Sequence, residues 1–171
     1  KEKAKKILLK LLKKNKKNNI ARYNLALMQS ETFEVQAAIK NYEYILTIEK
    51  NNWKSILNLY VIKLRTKSYE EASWLINKLI KIKPNYQPAL RDKAYVLLMQ
   101  KKPQEGLIII LKSIEQNKKD YLAINILGMI YIELQNYDLS NKALTEALRI
   151  NNKYLPSKNN LGRCLLLQHK K

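Results

Sequence analysis

Three glycines and four prolines in 171 residues leave too little turn-forming material for a β-rich fold, which uses glycine at its tight turns. One cysteine, Cys164, excludes an internal disulfide framework. Its expected role is that of a small apolar side chain on a helix, because unpaired cysteines are commonly buried. One histidine, His169, stands near the end in a lysine-flanked tail, with no acidic residue nearby in sequence to orient it as a general base. Cys164 and His169 are five positions apart, which takes them off a shared helix face and excludes a nucleophile–base pair. No Cys/His cluster has the spacing of a zinc site, and no glycine-rich loop is present to cradle a phosphate.

Long apolar runs are also missing: none approaches the ~20 residues that a membrane-spanning helix needs. The stretch opens without a secretory signal, which leaves a removed one open. These absences predict a soluble protein that is not an enzyme, with no catalytic residues, no metal and no cofactor. They leave the compartment unknown, with the cytoplasm slightly favoured and a periplasmic or membrane-associated location still compatible.

Acidic residues are few. Fourteen of them against thirty-three basic ones give a net charge of +19. Residues 1–17 hold nine lysines against Glu2 alone, so that segment contributes 9 − 1 = +8. Such a surplus attracts acidic partners and polyanions and speeds encounter with them. Twenty-eight of the basic residues are Lys and five are Arg, beside eighteen Asn, a mixture that resembles the composition bias of an AT-rich genome. Arg, whose fixed fork grips phosphate better, is the scarce one.

What the chain does have is a period. Ala26, Tyr60, Ala94, Gly128 and Gly162 are spaced by 34 residues. Ala4, Ala38, Ala72, Gly106 and Ser140 form a second ladder of the same period, and Leu8, Tyr42, Ile76, Ile110 and Leu144 a third, four positions behind it. Small and large apolar residues recurring without insertions mean a stack of like supersecondary units. Within a unit the spacing predicts two helices. Ile124, Leu127, Gly128 and Tyr131 share one helical face, and after a break at Asn136 so do Ser140, Ala143, Leu144, Ala147 and Leu148. Pro88, Pro103 and Pro156 fall near predicted helix starts and Pro84 in a turn, none of them inside a helix.

These stretches resemble the tetratricopeptide repeat, a helix–turn–helix of 34 residues. The resemblance is carried by Ala38 to Asn52, by Leu127-Gly128-x-x-Tyr131, and by Tyr137-x-x-Ser140-x-x-x-Leu144-x-x-Ala147. Tyr69-x-x-Ala72 with Pro84 twelve residues beyond adds to it. Tyr60 departs from the pattern, in a position the family usually gives to a small residue, and Lys50, Lys118 and Asn152 replace its closing proline. The resemblance implies an all-α fold, a right-handed α-solenoid of about ten helices in which each unit touches its neighbours. As a single domain over 1–171, it would hold a partial repeat at 1–18, repeats at 19–52, 53–86, 87–120 and 121–154, and a partial repeat at 155–171. A chain that starts and stops in mid-unit without an initiator Met reads as a fragment of something longer.

The resemblance also implies that the first helix of each unit lines the concave side. The residues opposite its packed face are then groove candidates: Tyr23, Leu57, Asn58, Val61, Arg65, Arg91, Tyr95, Met99, Asn125, Met129, Glu133, Asn159 and Arg163. Ile20, Leu27, Lys54, Leu64, Leu98, Leu122, Ile132 and Asn160 flank them. An exposed apolar stripe usually marks an interaction site, and Tyr, Met and Arg are enriched in interface cores. Some family members hold acidic chaperone tails with a two-carboxylate clamp of Lys, Asn and Arg. Here Asn58 fits its middle position, but Tyr23 and Leu27 before it and Pro88 and Asp92 after it do not, which disfavours that role.

In residues 1–17, Ala4, Ile7, Leu8, Leu11 and Leu12 form an apolar stripe among lysines. Alone it reads as a cationic helix for an anionic membrane surface; in the repeat register it is the packing face of a second helix, the favoured reading. The expected function is a protein–protein interaction scaffold that binds a peptide or helical segment, of acidic character, in a largely apolar groove. The alternatives are a basic solenoid for RNA, or another nucleic acid, or an anionic surface, and a self-associating module that forms homo-oligomers.

Overall fold

The computed structural model describes residues 2–84 and 86–168; His169 lies outside them. Ten helices and no strand occur among these residues. The leading helices of the units are α2 (Asn19–Glu31), α4 (Trp53–Arg65), α6 (Pro88–Met99), α8 (Tyr121–Glu133) and α10 (Leu155–Gln168). The trailing helices are α1 (Glu2–Lys14), α3 (Val35–Ile48), α5 (Tyr69–Ile82), α7 (Pro103–Gln116) and α9 (Tyr137–Ile150). The chain divides after Pro84 into two compact units. Among the described residues no helix is long and apolar enough to cross a membrane.

A helix leaves orphan N–H groups at its start; in α2, α4 and α8 a short polar side chain accepts from them, whereas α6 has no side-chain cap. Asn18 accepts from the Ala21 N–H at 3.0 Å, and Asn52 from that of Ser55 at 3.0 Å. Asp120 accepts from Leu122 and Ala123 at 3.0 and 3.2 Å. Pro88 and Pro103 open α6 and α7, where a missing N–H breaks no bond. Between the two helices of each full repeat stands a residue with left-handed backbone: Phe33, Lys67, Lys101 and Gln135, at φ 62°, 59°, 63° and 58°. The residue after each returns its N–H to the last turn of the leading helix. The four bonds, Glu34 to Gln29, Ser68 to Lys63, Lys102 to Leu97 and Asn136 to Tyr131, all measure 2.9 Å. This closure is worth enough to hold four side-chain-bearing residues in a conformation that glycine prefers.

The ladders form the core. In the first unit Ala26, Ala38, Tyr42, Tyr60, Ala72 and Ile76 are buried; Tyr60 is accommodated in place of a small residue within an unbroken α4. In the second unit Ala94, Gly106, Ile110, Gly128, Ser140 and Leu144 are buried. The Ser140 hydroxyl donates to the Gly128 carbonyl at 2.9 Å, so at this crossing an α9 side chain reaches the α8 backbone directly.

The outermost rungs differ. Gly162, the last member of its ladder, is exposed and a Cβ there would meet nothing within 4 Å, since no trailing helix follows α10 among the described residues. At the other end Leu8 and Leu12 are half-buried, but Ala4 and Leu11 are exposed and Ile7 is 59% exposed. The repeat register predicts packing of the whole stripe. Only part of it packs, because α2 covers one side of α1.

Candidate functional site

In the first unit the candidates come from α2 and α4. The Asn58 amide donates to the Tyr23 hydroxyl at 2.8 Å, joining the two helices. The Tyr23 ring stands edge-on to Tyr42, centroids 5.8 Å apart at 68°. Leu57 is half-buried, Val61 is 42% exposed, and Arg65 is exposed at the rim of a small hollow with Ser30, Val35, Ile62 and Thr66. Among the described residues no carboxylate pairs with Arg65, unlike the other two arginines of the set.

Those two, Arg91 and Arg163, are in the second unit and are engaged within it. Arg91 donates from Nε to Asp92 at 3.1 Å and from Nη1 to Asp120 at 3.2 Å, with its side chain 18% exposed. Since Asp120 also caps α8, this guanidinium locks α6 to the start of α8. Burial pushes the Asp92 carboxyl above the usual range, with Arg91 pulling the other way. Arg163 donates to Glu133 at 2.9 Å, and Lys101 approaches the same carboxylate at 3.5 Å. The Arg163 hydrogen bond, helped by Lys101, holds the Glu133 carboxyl below its ordinary value.

Tyr95, Met99 and Met129 are partly buried and pack on a cluster of Ala94, Leu98, Ile110, Ala123, Ile126 and Ile130. Asn125 is only 4% exposed. Its carbonyl accepts from the Ser157 hydroxyl at 2.9 Å and from the Asn160 amide at 3.0 Å, so it ties α8 to α10 rather than facing solvent. Leu98 and Ile132, flanking candidates, are likewise buried, whereas Asn159 is exposed. The candidates of the first unit thus include the exposed Val61 and Arg65, and those of the second are half-buried aromatic and thioether groups beside ion pairs that fix the helices.

No protein-family model matches the chain, and no curated protein does. Solved structures do. A tetratricopeptide repeat protein from Parabacteroides merdae superposes with a TM-score of 0.88 at 18% identity, covering 97% of this chain and 66% of that one. A MamA protein from Desulfovibrio magneticus gives 0.78 at 18% identity, covering 90% and 86%. YrrB, described as a tetratricopeptide repeat protein with an unusual peptide-binding site, gives 0.72 at 17% identity, covering 96% and 84%. The chain has the tetratricopeptide-repeat fold. Its class is thus all-α, that of the helical-repeat solenoids.

In tetratricopeptide-repeat terms, the trailing helices carry a feature the sequence reading passed over. A cleft of about 360 Å³ lies between α3 and α5, floored by α4. Leu46, Leu59 and Leu75 line it, with Trp74 on one wall. A cleft of about 590 Å³ lies between α7 and α9, with Ile114, Leu127 and Ala143 at the positions 68 residues on from those leucines. The sequence signal was present: a tryptophan on a trailing helix, off the apolar ladder, with Lys78 one turn later. Asn125 offered a similar signal, as the one amide in the apolar run from Tyr121 to Ile132.

Proposed function

We propose that this protein is a protein–protein interaction scaffold, and that the faces of its leading helices take a peptide or helical segment of another protein. The observation that carries the reading is the likeness to tetratricopeptide-repeat structures over nearly the whole chain, one of which, YrrB, has a peptide-binding site. The candidate residues support it. In the first unit Leu57 and Val61 present apolar surface beside the Tyr23–Asn58 pair and the unpaired Arg65. In the second, Tyr95, Met99 and Met129 reach solvent in part, with Asn159 and Arg163 nearby in the succeeding leading helix. Tyr is enriched among the few residues that carry most of the binding energy, and Met is enriched in interface cores.

Arg91, Glu133 and Asn125 have a supporting part in this reading, since their polar groups are taken up by Asp120, Arg163 and Ser157. The unpaired positive charge, Arg65 and the exposed lysines, favours an acidic segment.

The test is affinity capture from extracts of the source cells, with the intact protein and with the Tyr95→Ala/Met129→Ala double variant in parallel. The partner should be lost from the variant while circular dichroism stays helical. Its retention at equal yield overturns the assignment. Repeating the capture at ~50 and ~200 mM salt separates this reading from an RNA-binding one, because phosphate contacts weaken steeply over that range and apolar contacts barely change.

A further inference from the structure

We propose that the cleft between α3 and α5 is a second docking site, and that its occupant is an acidic amphipathic helix of another protein, seated against Trp74. This surface belongs to the trailing helices, apart from the face assigned above.

Trp74 is 61% exposed. A tryptophan can bury about 150–250 Å², so leaving most of its surface in water forgoes a favourable term that a partner could recover. The ring adjoins a cavity with an apolar floor, Leu46, Leu59 and Leu75. At about 360 Å³ the cleft has room for apolar side chains presented on one face of a helix, the usual way a helix enters a groove between two others.

The charges say what such a helix carries. Lys63, at one end of the cleft, is already paired with Glu71. Lys78 stands with its ammonium 5.1 Å from the Trp74 ring centroid, and among the described residues no carboxylate forms an ion pair with it. A carboxylate one turn from the seated apolar side chain would meet Lys78, and the +19 charge of the chain adds a field of the same sign. Glu43, on the α3 wall, repels carboxylates there, so the acidic flank of the occupant lies toward α5.

The second unit supplies an internal comparison. At the same place in the repeat, Lys142 stands where Trp74 does and Glu146 where Lys78 does. Helix stacking creates both clefts; the aromatic residue of the second is Tyr131 on α8, whereas the first has a tryptophan on the trailing helix with a lysine ammonium beside its ring.

The experiment uses the 171-residue chain and a synthetic 15-residue peptide with leucines at i, i+3, i+4 and i+7 and glutamates elsewhere. In a Trp53→Phe background Trp74 is the sole tryptophan, so a saturable change in its emission reports binding. By peptide anisotropy, Trp74→Ala should weaken binding about tenfold or more, as truncating an interface anchor does. Lys78→Glu should weaken it and Glu43→Gln strengthen it about twofold to threefold. That gain cannot come from misfolding. A lysine version of the peptide should bind more weakly. Equal affinity for the Trp74→Ala protein, with helicity retained, overturns the proposal, and so does equal affinity for the lysine peptide.

Discussion

The Leu144 side chain occupies the space that a Cβ on Gly128 would need: a methyl built there stands 2.5 Å from Leu144 Cγ and 2.6 Å from its Cδ2. Leu144 is fully buried and cannot swing into solvent. Replacing a helical glycine by alanine normally gains about 0.5–1 kcal/mol through backbone entropy, but overpacking a filled core costs about 1–3 kcal/mol. The clash wins. Gly128→Ala should lower stability by about 1–2 kcal/mol in urea unfolding followed by circular dichroism. Gly162→Ala is the matched control, with nothing within 4 Å of the added methyl. It should raise stability by about 0.5–1 kcal/mol. If both variants move the midpoint in one direction, the close crossing of α8 and α9 is not what sets glycine at 128.

The turn between paired helices offers a gain that no contact explains. Lys101 and Gln135 are held at φ 63° and 58°, where a side chain is strained by about 1–2 kcal/mol and glycine is not. Against this, glycine loses more entropy on folding. Lys101→Gly and Gln135→Gly should each stabilise by a net of about 0.5–1 kcal/mol, read from thermal unfolding. Alanine at the same sites should give no such gain. Glycine variants that destabilise would mean that the two side chains make contacts outweighing the strain.

Those turns mark the limit of what could be read in advance. The ladders identified the units, because a small residue facing a large one at a fixed period leaves few other arrangements. Asn136 and the prolines located helix ends, because each either caps or terminates a helix by its own chemistry. The left-handed positions carry Phe33, Lys67, Lys101 and Gln135, four side chains with no common chemistry, so only the 34-residue spacing links them. The site was less legible than the fold. Helical phase places Asn125 and Val61 alike opposite the packed face, yet Asn125 is covered by α10 of its own unit while Val61 is exposed in the other. Phase alone is silent on which helix arrives next and what it brings.

Glu133 should contribute to acid sensitivity. Its carboxyl is held below the ordinary value by Arg163 and Lys101, so its stabilising share is present above the unfolded value, about 4.3, and is lost as pH falls through the folded one. Glu133→Gln removes that share at all pH values. The variant should be less stable at neutral pH by no more than about 1 kcal/mol, the range of solvent-exposed pairs. Its stability should also fall less steeply than that of the parent between about pH 5 and pH 3. An unchanged acid limb would show that the Glu133 pairs do not hold in solution.

The central claim is that the leading-helix faces grip a protein partner. A photo-crosslinking amino acid placed at Val61, the exposed apolar candidate on α4, tests it most directly, with one at the exposed Lys112 of α7 as control. In source-cell extract the Val61 probe should capture one discrete protein that the Lys112 probe does not. A partner that still co-purifies but is captured from Lys112 and never from Val61 would contradict the account.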